Sequence, residues 1–573
     1  MFEIEVNGQK IEAIPGETVL SSLERSGISV PTLCHIKDMI PSGACRICSV
    51  EVEGQKSLIP SCSYPVYEGM KIKTNSPRAI RARKTIVELL QANHPDDCLY
   101  CVRNTDCELQ SLSAQHGIRE KRYIAEPCKH PTDVSSSAII REQDKCILCG
   151  KCVRVCEEVV GVGAIDFVNR GSKTIIAPAF EQGMNVSSCI NCGQCVVVCP
   201  TGALREKSHI KEVTNALQDP EKIVVIQHAP AISVTIAEEL GLQDAKEADK
   251  IMVNALRKLG FDRVFDTSFS ADLTIMEEAS ELVQRIQSGG TLPMMTSCSP
   301  GWVKYMEQSH PELLDNVSTC KSPQQMLGAI IKSYYAQKEG IDPKNIYSVA
   351  VMPCTAKKFE AGRPELGSNG LSDLDAVLTT RELIRMFKMF GVQYNSLVAA
   401  EPDLPFGERS SAGKLFGGTG GVMEAALRTA HKMITGNEMD ELVVKQVRGL
   451  CAFKETKIKI GDMELGIAVA NGIKNAKKIL QEIKDGRDDI HFIEVMTCNG
   501  GCIGGGGQPC NTNMDNIKTR LKSLYQIDTN APVRTSHGNK AIKELYDDFL
   551  GEPLGEKSHE LLHTHYSARD VLL

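Results

Sequence analysis

The run Cys-x2-Cys-x2-Cys-x3-Cys occurs twice in this chain, as CILCGKCVRVC from Cys146 and as CINCGQCVVVC from Cys189, with a period of 43 residues. No other feature restricts the fold as strongly. Loops that set four thiolates so close together wrap a compact inorganic core, and this spacing belongs to a pair of [4Fe-4S] cubes. In such a pair the fourth cysteine of each run serves the other cube. Cys146, Cys149, Cys152 and Cys199 therefore form one set, and Cys189, Cys192, Cys195 and Cys156 the other. Soft, anionic sulfur suits iron and sulfide. Pro200 follows the second run, where the first has Glu157.

The 573 residues carry 23 cysteines in an otherwise ordinary composition, 42% hydrophobic and 24% charged, which excludes disorder and collagen. With 65 basic and 72 acidic residues the net charge is −7, so no global positive field exists for nucleic acid or an anionic membrane. There is no apolar run of membrane-spanning length, and the start MFEIEVNGQK lacks the pattern of a signal peptide. A cytoplasmic location is expected. There the reducing environment disfavours disulfides, and clustered thiols bind metal.

The first 75 residues alternate as short strands, FEIEV, KIEAI after the turn Asn7-Gly8, ICSVEVEG and GMKIKTN, a β-rich domain. Within it Cys34, Cys45, Cys48 and Cys62 are spaced C-x10-C-x2-C-x13-C. Four thiolates of this kind hold a [2Fe-2S] cluster or, alternatively, zinc. His94, Cys98, Cys101 and Cys107 follow as H-x3-C-x2-C-x5-C, which suits zinc and a [4Fe-4S] cluster equally. Between them RAIRARKTIVELLQAN has helical spacing, with Ile80, Ile86, Leu89 and Leu90 near one face. The basic run Lys71, Lys73, Arg78, Arg81, Arg83 and Lys84 reads as a solvated face or as a dock for an acidic ferredoxin. From residue 221 onward apolar strands (KIVVIQHAP, NIYSVAVMP, DIHFIEVMT) alternate with helical stretches (MEEASELVQRIQ, VMEAALRTAHKMI), the texture of a large α/β domain whose ligands gather at strand ends. The final segment EKSHELLHTHYSARDVLL, with three histidines, reads as an ordinary terminus.

Three segments of the α/β part stand apart: Thr296-Ser297-Cys298-Ser299-Pro300-Gly301-Trp302, Met352-Pro353-Cys354-Thr355-Ala356-Lys357-Lys358-Phe359-Glu360, and Glu494-Val495-Met496-Thr497-Cys498-Asn499-Gly500-Gly501-Cys502 running into a glycine tract. Cys498 and Cys502, four apart, point the same way on a helix or tight turn. The glycines 504 to 507 let main chain approach a compact cofactor. Any one of these cysteines alone could be a buried structural thiol.

In these segments the sequence resembles the [FeFe]-hydrogenases, specifically the monomeric clostridial type with four accessory clusters, from Phe2 to beyond Cys510. The resemblance implies four domains: residues 1–78, a β-grasp-like, plant-ferredoxin-like [2Fe-2S] domain; 79–126, a His/Cys3 [4Fe-4S] domain; 127–208, a bacterial-ferredoxin-like domain with two [4Fe-4S] clusters; and 209–573, a catalytic α/β domain. It further implies an H-cluster, a [4Fe-4S] cube joined by a thiolate to a two-iron unit carrying CO, cyanide and a dithiolate amine. By position Cys354, Cys498 and Cys502 hold the cube, with Cys502 bridging. The family motif TSCCPxW has a cysteine where this chain has Ser299, a harder donor with a higher pKa. Three outcomes follow: ligation through the serine oxygen, an open or water-bound iron, or replacement by Cys298.

The resemblance also implies a proton relay of Cys298, Glu278, Ser318 and Glu281, with Arg285 at its outer end. Composition alone makes Glu278, Glu281 and Arg285 a salt-bridged, solvated helix face. Lys357, helped by main chain at Ala229 and Pro230, is implied to hydrogen-bond cyanide, and Met352, Met496 and Phe416 to wall the pocket. Cys128, Cys320, Cys451 and Cys510 remain as structural cysteines. The tract LFGGTGG lacks the lysine of a phosphate loop and reads as close packing. The implied activity is reversible reduction of protons to H2 with electrons from reduced ferredoxin, in an oxygen-sensitive enzyme dependent on H-cluster maturation proteins. The alternatives are an H2-sensing or impaired relative, raised by Ser299, and an electron-transfer protein, since the first 200 residues also resemble the large iron-sulfur component of respiratory complex I.

Overall fold

The computed structural model describes all residues except 126–128, 240, 242–244, 369 and 573. Cys128 therefore lies outside the described residues. The N-terminal alternation forms a five-stranded mixed sheet in the order Gln9–Ala13, Phe2–Val6, Lys71–Lys73, Ser49–Val52, Ile59–Pro60, with helix Val19–Arg25 packed on it. Phe2–Val6 runs parallel to Lys71–Lys73 (Val6 beside Ile72) and antiparallel to Gln9–Ala13. The inward residues Ile4, Val6, Val19, Leu20, Leu23, Val50, Val52 and Ile72 make its core.

Helix Pro77–Ala92 starts where the sequence places it, its N-terminus capped by the Ser76 hydroxyl. Its buried face differs from the expected one. Ile80 and Leu89 are exposed, whereas Ala79, Arg83, Val87 and Glu88 are buried. Ile86 and Leu90 do reach the shared core of Leu33, Ile47, Leu109 and Leu112. Arg83 turns inward because its guanidinium donates to the Ser49 carbonyl at 2.8 Å, so it leaves the expected basic surface. Lys71 is paired with Glu53, which further thins that surface.

The C-terminal part holds two four-stranded sheets. The first is parallel throughout, in the order Arg263–Asp266, Ile223–His228, Ile346–Met352, Ala376–Thr379. Its strands are buried on both faces, as parallel strands are when helices cover them. The second runs Met294–Met295, Phe492–Met496, Met463–Asn471, Phe453–Ile460, the last pair antiparallel. The long helix Thr267–Ser288 starts directly from the strand Arg263–Asp266, with Asp266 as N-cap. Strands of both sheets deliver their C-terminal ends to one place. Ala229 and Pro230 follow His228, Pro353 and Cys354 follow Met352, and Thr497 and Cys498 follow Met496. That is where an α/β sheet presents a ligand site.

Candidate active site

A cavity of about 80 Å3 opens at these strand ends, lined by Cys298, Ser299, Cys354, Cys498 and Cys502, with Lys357, Ala229, Pro230, Met352, Phe416 and Met496 around them. All eleven residues assigned here from sequence are thus brought together. The Cys498 and Cys502 thiols come from a turn rather than a helix, with Gly501 at φ 89° between them. A side chain on Gly501 would meet the Thr419 nitrogen at 2.7 Å. LFGGTGG packs against this turn, Thr419 N–H donating to Gly500 O and Ile503 N–H to Gly417 O.

Ser299 caps no helix bond. Its oxygen shares a 2.7 Å hydrogen bond with the Thr497 hydroxyl and accepts from the Thr497 N–H at 3.4 Å. Lys357 Nζ donates to the Cys298 carbonyl at 3.1 Å and to Glu360 at 2.9 Å, so it arrives at the cavity already oriented. Burial pushes the Cys498 and Cys502 thiols up to about 12, with the charge of Cys354 adding to the effect. Thiols held protonated must lose those protons when metal binds, so ligation there is coupled to proton release. Three converging thiols and a serine hydroxyl in a largely apolar cavity fit an iron-sulfur cube.

The expected relay is buried, not solvated. Glu278 is fully buried, and among the described residues its carboxylate oxygens make no full hydrogen bond, the main-chain N–H of Ser297 only approaching them. Burial, reinforced by the charge of Glu281, pushes its carboxyl up to about 8. Burial beside Glu278 likewise holds the Cys298 thiol far above its ordinary value. Ser318 donates to Glu281 at 2.7 Å and Arg285 at 2.6 Å, so both sit on the outer carboxylate.

The other cysteines group as follows. Cys146, Cys149, Cys152 and Cys199 line one cavity, and Cys156, Cys189, Cys192 and Cys195 a second. Cys34 is in hydrogen-bond contact with Cys45, and Cys48 with Cys62, each thiol within reach of the others' charge. His94 is half-buried with an unpartnered Nδ1 among the described residues, Cys101 and Cys107 lie near each other, and Cys98 is exposed. The four regions abut in series. Cys45, Cys107 and Ile147 pack on one apolar cluster, Cys107 Sγ lies 3.6 Å from Pro200 O, and Thr355 Oγ1 donates to Asn191 O at 2.7 Å. Gly506 explains the glycine tract: its Cβ would fall 1.9 Å from the Cys192 carbonyl, so main chain meets main chain of the ferredoxin-like loop.

Sequence reasoning missed several residues. Glu494 opens the third motif, and its carboxylate accepts from Gly420 N–H at 2.6 Å and Met423 N–H at 2.7 Å, tying helix Gly421–Thr435 to the cavity. Motif position pointed to Glu494, but its partners lie more than 70 residues away. Thr497 and Gln324 carried no signal of their own, and Glu360 was marked only as the last residue of the second segment. His563, in the segment read as an ordinary terminus, is buried against Glu277 and Thr319.

Comparison with known proteins agrees with this geometry. Residues 222–506 match the C-terminal domain of the iron only hydrogenase large subunit, and 514–569 match the iron hydrogenase small subunit. Residues 1–77 match a 2Fe-2S iron-sulfur cluster binding domain, 83–122 the NADH-ubiquinone oxidoreductase-G iron-sulfur binding region, and 145–203 a 4Fe-4S dicluster domain. The fold and site thus define an iron-sulfur oxidoreductase of several domains, and the chain belongs to the iron-only, or [FeFe], hydrogenase family. It is 46% identical to the NADP-reducing hydrogenase subunit HndD of Solidesulfovibrio fructosivorans, covering 100% of both chains. It is 41% identical to iron hydrogenase 1 of Clostridium pasteurianum over 99% of this chain and 100% of that one. Among solved structures, an apo [FeFe]-hydrogenase of Chlamydomonas reinhardtii is 44% identical over 63% of this chain and 99% of its own, with a TM-score of 0.57. No helix among the described residues is long and apolar enough to cross a membrane.

Proposed function

We propose that this protein catalyses the reversible reduction of protons to H2 in the cytoplasm, at an H-cluster held by Cys354, Cys498 and Cys502 with Ser299 at the fourth position. The observation that carries the reading is the apolar, thiol-lined cavity placed between the buried acid Glu278 and the ferredoxin-like loop at Cys192. When bound, the cluster supplies the redox chemistry of hydrogen. The chain supplies the rest. Cys298, kept as a neutral thiol by burial, would pass a proton between the cluster site and Glu278, and Glu281 with Ser318 would carry it outward while Arg285 orients Glu281. The Lys357 ammonium, fixed by Glu360, would attract the cluster's anionic groups, and Met352, Met496 and Phe416 wall the pocket with apolar surface.

Electrons arrive through one [2Fe-2S] and three accessory [4Fe-4S] clusters, on the ligand sets above, in four domains bounded near residues 78, 126 and 208. Reduced ferredoxin is the donor on this reading. HndD, identical at 46% of positions, is a subunit of an NADP-reducing hydrogenase, so a second reading replaces ferredoxin by a partner protein that exchanges electrons with NADP. Maturation proteins supply the two-iron unit in either case. Ser299 favours a third reading, a hydrogen sensor of low turnover. An infrared spectrum of the anaerobically matured protein in the CO and CN region, before and after H2, tests these. Bands that shift under H2, with turnover from reduced ferredoxin, are expected. Bands that never shift refute catalysis, and absent bands refute the H-cluster.

A further inference from the structure

The relay described above needs an end that trades protons with water, and Arg285 does not provide one. A guanidinium keeps its protons at every working pH, so Arg285 holds Glu281 in place without passing a proton on. The opposite side of Glu281 carries a titratable group. A ring nitrogen of His563, the Cys320 sulfur and a Glu281 oxygen lie within 4.8 Å of one another. A gap of that size is bridged by one water molecule. His563 is itself fixed: Nδ1 is 2.8 Å from the Thr319 hydroxyl, Nε2 is 3.1 Å from Glu277, and the main chain pairs through Thr564 N–H to Thr319 O and Lys321 N–H to Leu562 O. Glu277 is in turn held by the Tyr546 hydroxyl at 2.5 Å and the Leu554 N–H at 2.8 Å. One helical turn before His563, in helix Glu556–Leu562, stands His559. Its ring centroid is 4.5 Å from that of His563, and its side chain is exposed.

We propose that His563 and His559 form a second outlet of the proton relay, joining buried Glu281 to solvent through two imidazoles. This rests on the hydrogenase reading and on Glu281 carrying protons. In the direction of H2 formation, an imidazolium at His563 would give its N–H proton to a Glu281 oxygen through one intervening water, which the spacing admits. This leaves a neutral imidazole and a carboxylic acid, and His559, protonated from bulk water, returns a proton to His563. Two such transfers accompany each H2, and no electron moves along this branch. Histidine is the side chain whose ordinary pKa lets it load and unload near neutrality. The groups facing His563 suit a proton-carrying imidazole: Glu277 and Glu281 from helix Thr267–Ser288 are acidic, while Thr319, Cys320 and Tyr546 remain neutral, Cys320 and Tyr546 being held so by burial. On the same segment His559 is kept below its ordinary value by partial burial and by the charge of His563, so it gives up its proton readily.

The test uses the matured holoprotein with H563Q and H559Q, glutamine being a side chain that hydrogen-bonds without titrating. H2 evolution from reduced methyl viologen is followed across pH 6 to 9 in H2O and D2O. Expected are a loss of about three- to tenfold in H563Q, a larger solvent isotope effect, and a smaller loss in H559Q that added imidazole restores. H559Q changes only an exposed residue, so it stays informative if H563Q fails to fold. A readout independent of turnover is the 15N spectrum of His563 in protein lacking the two-iron unit: E281Q should shift its ring-nitrogen signals, because it removes the carboxylate across the gap. Unchanged rates, isotope effects and pH profiles in both histidine variants, with parental turnover intact, would overturn the outlet alone, as would His563 ring-nitrogen signals indifferent to E281Q. A parent protein that neither makes nor consumes H2 would instead overturn the hydrogenase reading.

Discussion

Replacing Glu278 by glutamine should make the protein more stable while stopping hydrogen turnover. Both carboxylate oxygens are buried with only a partial approach by the Ser297 N–H, and burial together with Glu281 raises the carboxyl from 4.5 to about 8. Between those two values the folded state holds a proton that the unfolded chain has released, so stability falls as pH rises through the window. At pH 7 the distance above the unfolded value is about 2.5 pH units, which corresponds to about 3 kcal/mol. Glutamine has the shape of the protonated acid and never ionises, so the variant escapes that loss. Differential scanning calorimetry under anaerobic conditions should find little difference between E278Q and the parent near pH 5. By pH 7 the gap in Tm in favour of the variant should be on the order of 5 °C and still widening. H2 evolution and uptake should both fall by about 10²- to 10⁴-fold, the range for losing a positioned proton carrier. A Tm gap that stays constant with pH would refute the claim that Glu278 is neutral in the folded protein. Undiminished turnover would remove it from the relay.

Further consequences follow from single contacts. C502A should abolish the CO and CN infrared bands while leaving the electron paramagnetic signals of the accessory clusters. S299C should raise the reduction potential of the cube by replacing a hard oxygen with a softer thiolate, as read by a redox titration of its paramagnetic signal. K358M should destabilise the catalytic part by about 3–5 kcal/mol, because Lys358 and Glu382 pair at 2.9 Å with both side chains fully buried. Adding E382Q should recover part of that loss in urea unfolding. G506A should separate the ferredoxin-like loop from the cavity, since its Cβ overlaps the Cys192 carbonyl, and slow electron transfer from the accessory clusters in flash-reduction experiments.

Chemistry with a short repeat was legible without coordinates. Cys146 to Cys156 and Cys189 to Cys199 carry their function in spacing alone, because a cube needs several ligands from one loop and so leaves a local pattern. The strands Ile223–His228, Ile346–Met352 and Phe492–Met496 were visible as apolar runs, and so was the tendency of ligands to gather where they end. Periodicity failed for helix Pro77–Ala92, which packs on both the strand Ser49–Val52 and the helix Glu108–Gln115, so that Arg83 turns in to Ser49 while Ile80 stays exposed.

Tertiary structure alone decided the protonation of the site. Glu278 and Glu281 look like a solvated helix face in sequence, and only the packing of Ser297, Ser318 and Cys298 around them removes the water that would keep Glu278 ionised. The same holds for His563, ordinary in its terminal segment until the chain returns it to Glu277 and Thr319, nearly 300 residues earlier in sequence for Glu277. Ligand identity depends on the covalent order of nearby residues and is written in the sequence. Desolvation depends on everything within a few ångströms of a group, whatever its position in the chain, and is fixed only when the chain has folded.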